Sequence, residues 1–182
     1  MGPPMALSIL NCGFPPSNLQ SPFPSMPPAI TVRPLGPSDL TEATALLCQL
    51  NPETPHDTVL GRFSTILADH SHYQAFGAFT AAPDGSTRLV GIASAWTATK
   101  VWCGKFLEID NLVVADTHRS SGIGSLLIEA LEARARETGC NVVVLDSYTS
   151  NHASHRLYHR LGFEIWGFHF IKPIGNWSGN PG

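Results

Sequence analysis

The sequence predicts a mixed α/β fold: one central sheet, partly antiparallel and partly parallel, with helices packed on it. Three observations carry this. Apolar residues recur at helical spacing along "SGIGSLLIEALEARARETG", and apolar runs stand on either side of it at 106–115 and 141–147. A strand–helix–strand unit of that kind makes its two strands parallel neighbours joined by a right-handed crossover. Upstream, "YQAFGAFTA" and "RLVGIASAWTAT" flank "APDGS", a hairpin signal built on Asp84-Gly85, so the sheet is antiparallel there.

The elements follow in order. "AITVRPL" is a short opening strand. "PSDLTEATALLCQL" is a helix with Ser38 as its N-cap candidate and Leu40, Ala43, Leu46 and Leu47 at helical spacing. "NPETP" breaks it, and "HDTVLGRFSTILADH" resumes with Val59, Phe63 and Ile66 on one stripe. After the hairpin, "GKFLEIDNLVVA" is a third long strand. The crossover helix stops at Gly139, a fitting C-terminal residue. "NVVVLDS" is a continuous apolar run, as expected of a strand covered on both faces. "NHASHRLYHRLG" is a short helix and "FEIWGFHFIK" a last strand. The order is therefore β-α-α-β-β-β-α-β-α-β, with no internal repeat.

Composition narrows the function classes. A chain of 182 residues with 43% apolar content suits one domain, placed at 29–174. A net charge of −3 with only 14% charged residues offers no basic patch for a nucleic-acid backbone. Cys12, Cys48, Cys103 and Cys140 lie far apart without a C-x-x-C pair, which fits a reduced cytoplasmic chain rather than a disulfide framework or zinc site. No apolar run approaches the roughly 18 residues of a membrane span. Residues 1–28 hold eight of the fifteen prolines and no charged side chain. They read as a flexible tail or a mis-assigned start, without the marks of a signal, transit or myristoylation segment. Residues 175–182 read as a second tail.

The turn at 119–124 is the segment that points to chemistry. A helix N-terminus offers unpaired N–H groups and about half a positive charge, which suits phosphate. Glycine lets backbone approach such a ligand closely. A Rossmann turn would need a third glycine where Leu127 stands, and a P-loop would need a lysine that is missing. What remains is Arg119-Ser120-Ser121-Gly122-Ile123-Gly124, an R-x-x-G-x-G segment after "LEIDNLVV". It resembles the acyl-CoA pyrophosphate loop of the GNAT superfamily of N-acetyltransferases.

The short helix after the second crossover strand agrees in order and spacing. At about 100° per residue, Asn151, Ser154, His155 and Tyr158 share one face, while Ala153, Leu157 and Leu161 form a core stripe. With Gly162-Phe163 following, this is similar to the GNAT pattern N-x-x-A/S-x-x-x-Y-x-x-x-G-F. The resemblance covers about residues 30–172 and implies a GNAT fold with acetyl-CoA as cosubstrate and no metal. It implies that backbone amides of Arg119 to Ser125 wrap the CoA pyrophosphate and that Asn151 and Ser154 help hold the CoA arm. It further implies that the strands at 106–115 and 141–147 splay apart, so that Leu112, Val113 and Val114 face the pantetheine, with an amide at Leu112 or Val113 stabilising the oxyanion. Tyr158 would protonate the departing thiolate.

Glu108 and Asp110 lie two apart on a strand, so their carboxylates emerge on one face about 7 Å apart. Both fall where the superfamily places a general base; Glu108 is the first choice and Asp110 the second. Mutual repulsion in a closed site would raise one pKa towards neutrality. No cysteine stands in a motif for a covalent acetyl-enzyme, so direct attack in a ternary complex is expected. His152, His155 and His159 span about 10.5 Å of one helix, too far for three ligands on one ion. His169, Phe170, Trp96, Trp102 and Phe106 are candidates for the wall of the acceptor pocket. The acidic residues Glu53, Asp57, Glu108 and Asp110 favour a small cationic amine. A protein lysine or N-terminus is the alternative acceptor, and a non-catalytic acyl-CoA sensor the alternative of another class. Family members often end in a two-strand hairpin, whereas this chain has room for one strand, so the last strand is expected to be absent or supplied by a partner chain in a homodimer.

Overall fold

The computed structural model describes residues 29–82 and 84–175. The segments 1–28 and 176–182, which hold the proline-rich tail and most of the second one, lie outside the described residues. Among the described residues five strands form one sheet in the order β1 (Thr31–Pro34), β2 (Tyr73–Ala81), β3 (Thr87–Lys100), β4 (Gly104–Val114) and β5 (Val142–Leu145). The first three pairings are antiparallel and β4–β5 is parallel, as the hairpin signal and the crossover require. At the hairpin, Gly85 takes a positive φ and Asp84 accepts from both the backbone N–H and the hydroxyl of Ser86.

Helices cover both faces. On one side α1 (Leu40–Leu50) and α2 (His56–Asp69) bring Leu46, Leu47, Val59 and Phe63 against Tyr73, Ile92 and Val113. On the other, α3 (Ile123–Glu137) lays Ile123, Leu127, Ile128 and Leu131 on Ala93, Leu107 and Ile109. Each of those four α3 side chains is at most 1% exposed, so the helix is held by burial rather than by helical propensity. α4 (His152–Arg160) packs Leu157 and Tyr158 against the edge of this second core, while Ala153, expected on the same stripe, is exposed.

Three expectations are corrected. The first helix is opened by Asp39 rather than Ser38: a 3-10 turn, Pro37–Asp39, precedes it, and the Asp39 carboxylate accepts the Gly36 N–H at 2.7 Å. The β5 run is half-buried rather than covered on both faces, because among the described residues no strand lies against its outer edge. The segment "FEIWGFHFIK" does not join the sheet. Without a ladder partner its side chains beyond Phe163 find no face to bury on, and Trp166, Phe168 and Phe170 are all exposed.

Arg33 on β1 grips Asp39 through two bonds of 2.7 and 2.9 Å and stacks over the Phe79 ring. The hydrogen bonds from Arg33 hold the Asp39 carboxyl below its usual range of about 3.8. Since that pKa falls on folding, the pair stabilises the fold above the unfolded value and is lost as pH drops through the folded one. Asp39→Ala is expected to cost about 2 kcal/mol at pH 7, read as a Tm lower by roughly 4–8 °C. In thermal melts the gap from the unmodified chain should begin to narrow below about pH 3.8, where the unfolded chain takes up the proton, and should close only as pH falls through the lower folded value.

Candidate active site

The site is built where β4 bulges against β3 and parts from β5. Trp96 pairs with Glu108 and Ser94 with Asn111, but Ala95 pairs with Ile109, so Asp110 is the extra residue of a β-bulge. The bulge turns Asp110 and Asn111 to the same side, towards α1 and α2. There Asn111 Nδ2 donates to Asp110 at 2.6 Å, to Ser94 Oγ at 3.0 Å and to Tyr73 Oη at 3.2 Å. The Tyr73 hydroxyl lies 2.6 Å from Ser94 Oγ and 3.2 Å from Asp110. Trp96 packs edge-on against Tyr73 at 4.6 Å between ring centroids. Burial raises the Tyr73 phenol far above its ordinary range and lifts the Asp110 carboxyl above 3.8, despite bonds from Tyr73 and Asn111 that pull the other way.

Tyr73, Asp110 and Asn111 line the sheet side of a cleft of about 160 Å3 between α1, α2 and the sheet. Leu47, Val59, Phe63 and Ile66 make its apolar wall, and Asn51, Thr54 and Arg62 its far rim. Glu108, first of the two candidate bases, shares the face with Trp96 and is half-buried, outside the Tyr73–Ser94–Asn111 cluster. Tyr73, Ser94 and Asn111 were not singled out by sequence reasoning. The one signal for them was a polar residue on the inward face of each of three adjacent strands, and single-sequence periodicity does not register strands against each other.

On its other edge, β4 pairs with β5 only from Phe106 to Ile109, so from Asp110 onward that edge is open. Ala115 donates its N–H to Val90, and alternation along an antiparallel ladder gives Val113 and Asn111 the same direction. Leu112 and Val114 therefore present N–H and C=O groups to the opening. Val113, which the sequence offered beside Leu112, turns its amide to β3 and buries its side chain.

The glycine turn closes the opening from one side. A 3-10 turn, Asp116–His118, leads into it, and Arg119 bonds Asp116 at 2.7 Å rather than lying free. Ser120 and Gly122 both take positive φ, 61° and 85°. Gly122 caps α3 without any side-chain bond, and the first turn carries no acidic residue. Among the described residues, the backbone N–H groups of Ser120, Ser121, Gly122, Ile123 and Gly124 have no acceptor, and that of Ser125 goes to the Gly122 carbonyl. Five successive free donors at a helix start make a nest for an anion. A Cβ added at Gly122 would meet nothing within 4 Å, whereas one at Gly124 would press on Leu157 at 3.2 Å. So Gly122 keeps space open in front of the turn and Gly124 lets α4 approach.

That approach brings α4 to the same place. Leu112, Val114, Ile123, Leu145, Leu157 and Tyr158 all join one cluster, so the open edge, the nest and Tyr158 converge. Burial raises the Tyr158 phenol above its ordinary 10, partly offset by the Ser154 hydroxyl, and its ring rests on Phe163 at 6.0 Å. Asn151 caps α4, accepting the Ser154 N–H at 3.3 Å. His155 and His159 donate to the carbonyls of Tyr148 and Phe163. Of the aromatic wall candidates, Trp96 packs on Tyr73 beside the cleft; Phe106 is buried under Lys100, while Trp102 and Phe170 are exposed and His169 bonds Asp146.

Comparison with known proteins adds to this geometry. The model of the acetyltransferase (GNAT) family matches residues 44–163. An uncharacterized N-acetyltransferase of Bacillus subtilis, YhdJ, is 27% identical over 134 residues, covering 73% of this chain and 90% of that one. The aminoalkylphosphonate N-acetyltransferase of Salmonella typhimurium is 30% identical over 145 residues, covering 70% and 92%. Among solved structures, the aminoglycoside N-acetyltransferase AAC(6')-Iy in complex with CoA superposes with a TM-score of 0.72 at 23% identity, over 84% of this chain and 100% of its own. At that identity the likeness speaks to the fold.

Proposed function

Because the chain belongs to the GNAT family and is an acetyl-transferring enzyme, we propose that it moves the acetyl group of acetyl-CoA to the primary amine of a small acceptor, by direct attack in a ternary complex. The observation that carries this reading is the row of five unpartnered N–H groups from Ser120 to Gly124, set beside the open edge of β4. Their number and the space before Gly122 fit a diphosphate, and Leu112 and Val114 offer main-chain groups for the arm that follows. The relative named for aminoalkylphosphonate acetylation supports a compact amine.

In the proposed step the neutral amine attacks the thioester carbon from the α1–α2 side. The C–N bond forms and the C–S bond breaks. The Leu112 N–H stabilises the oxyanion, an effect typically worth a few kcal/mol. The ammonium proton passes to Asp110, directly or through water, and the thiolate takes the Tyr158 proton. We place the base at Asp110 rather than Glu108 because Asp110, although exposed at the cleft mouth, is the carboxylate that lines the cleft and accepts from Tyr73 and Asn111, and partial loss of water there raises its pKa in the direction that favours a proton acceptor.

The test is calorimetry and thiol release together. Acetyl-CoA should bind, and a panel of small amines should stimulate release of free thiol. Ser121→Glu brings a carboxylate beside the nest at an exposed position, at the loss of the Ser121 hydroxyl bond to the His118 carbonyl, so the fold should hold while acetyl-CoA affinity falls at least about tenfold through like-charge repulsion. Unchanged affinity in that variant would remove the nest from the binding site.

A further inference from the structure

Resting on that reading, we infer that the acceptor is a compact zwitterion: an amine carried on a short chain with an anionic group, whose amine lies at Asp110 and whose anion lies at Arg62. Two side chains of opposite charge line the cleft, one from the sheet and one from α2. Asp110 stands at the sheet end among Tyr73 and Asn111, and Arg62 at the α2 rim with Asn51 and Thr54. The two do not pair with each other, and among the described residues neither forms an ion pair with any other group. The side chains that bond Asp110 are neutral: Tyr73, Asn111 and Trp96.

Position along α2 explains why Arg62 is available. It stands one residue before Phe63 and three after Val59, both buried, so its side chain leaves the helix at the border of the apolar stripe. A guanidinium there has a planar fork that suits a carboxylate or phosphonate. Between the charged ends the wall is apolar, so the span joining amine and anion is carbon rather than a polyhydroxylated ring. Size agrees: a cleft of about 160 Å3 suits a compact acceptor. A cationic amine lacking an anion would leave Arg62 unmatched and bring a second positive charge into a cleft that already has one.

The experiment compares matched acceptors at saturating acetyl-CoA: an apolar α-amino acid, its carboxamide, and the amine lacking the carboxyl group. In the unmodified enzyme kcat/KM for the acid should exceed that for each neutral partner by at least about tenfold, the usual scale for one charge-assisted contact. In Arg62→Gln that ratio should collapse towards one, chiefly through KM for the acid, and Arg62→Lys should restore part of it. A ratio near or below one in the unmodified enzyme, or an undiminished ratio in Arg62→Gln, would overturn the inference while leaving acetyl transfer to amines intact. Thiol release with no acceptor of any charge, in a protein that still binds acetyl-CoA, would overturn the transfer reading itself and this inference with it.

Discussion

Tyr158→Phe is expected to lower kcat by about 10²–10⁴-fold, the range for losing a general acid, while acetyl-CoA affinity changes by less than about twofold. The substitution removes one oxygen and keeps the ring that rests on Phe163 and joins the cluster with Leu112 and Leu157. Packing of α4 against α3 therefore persists, as does the nest at the α3 N-terminus, whose donors are main-chain N–H groups that the lost hydroxyl does not supply. Burial holds the phenol protonated above its ordinary pH range, so it remains a donor throughout neutral and mildly alkaline conditions. The unmodified enzyme should accordingly show no alkaline loss of rate from this group until above pH 10, its ordinary value. Steady-state thiol release with the best amine, beside calorimetry of acetyl-CoA alone, separates the two effects. A parallel fall in affinity would assign Tyr158 to binding.

Much of this was legible in the residues because it depends on local chemistry. The glycine turn, the Asn151–Tyr158 spacing and the Asp84-Gly85 hairpin are short-range signals, each set by backbone conformations that few residue types adopt. The crossover followed from chain handedness. What escaped is what depends on register between strands. A bulge at Asp110 cannot be read from β4 alone, since it exists only as two residues facing one on β3. With it escaped the Tyr73–Ser94–Asn111 cluster, whose members lie 17 to 38 residues apart in the chain. The missing last strand is a similar case. Alternation in "FEIWGFHFIK" makes the segment competent to be a strand, but a strand is defined by its neighbour. Asn151 shows the converse: a residue read for the cofactor arm has a sufficient local reason to be there, as the cap of α4.

Asp110→Asn should separate activity from stability. It keeps the shape and the bond from Asn111 but removes the proton acceptor, so kcat/KM with an amine is expected to fall by about 10²–10³-fold, whereas Glu108→Gln should cost less than about tenfold. The reverse order of losses would move the base to Glu108. Stability should move the other way. Because the Asp110 pKa is raised on folding, its ionised form costs the fold free energy at every pH above the raised value, and that cost fades as pH falls towards 3.8, where the unfolded chain is protonated as well. Replacing it with a neutral isostere should therefore raise Tm at pH 7, with the difference shrinking on acidification. Asp39 is the internal contrast, since its pKa falls on folding and its removal should lower Tm. A carboxylate whose loss stabilises the protein and abolishes turnover is held in place by the reaction rather than by the fold. Melts of both variants between pH 4 and 8, with rates measured on the same preparations, decide this: a lower Tm for Asp110→Asn would make the bulge cluster structural.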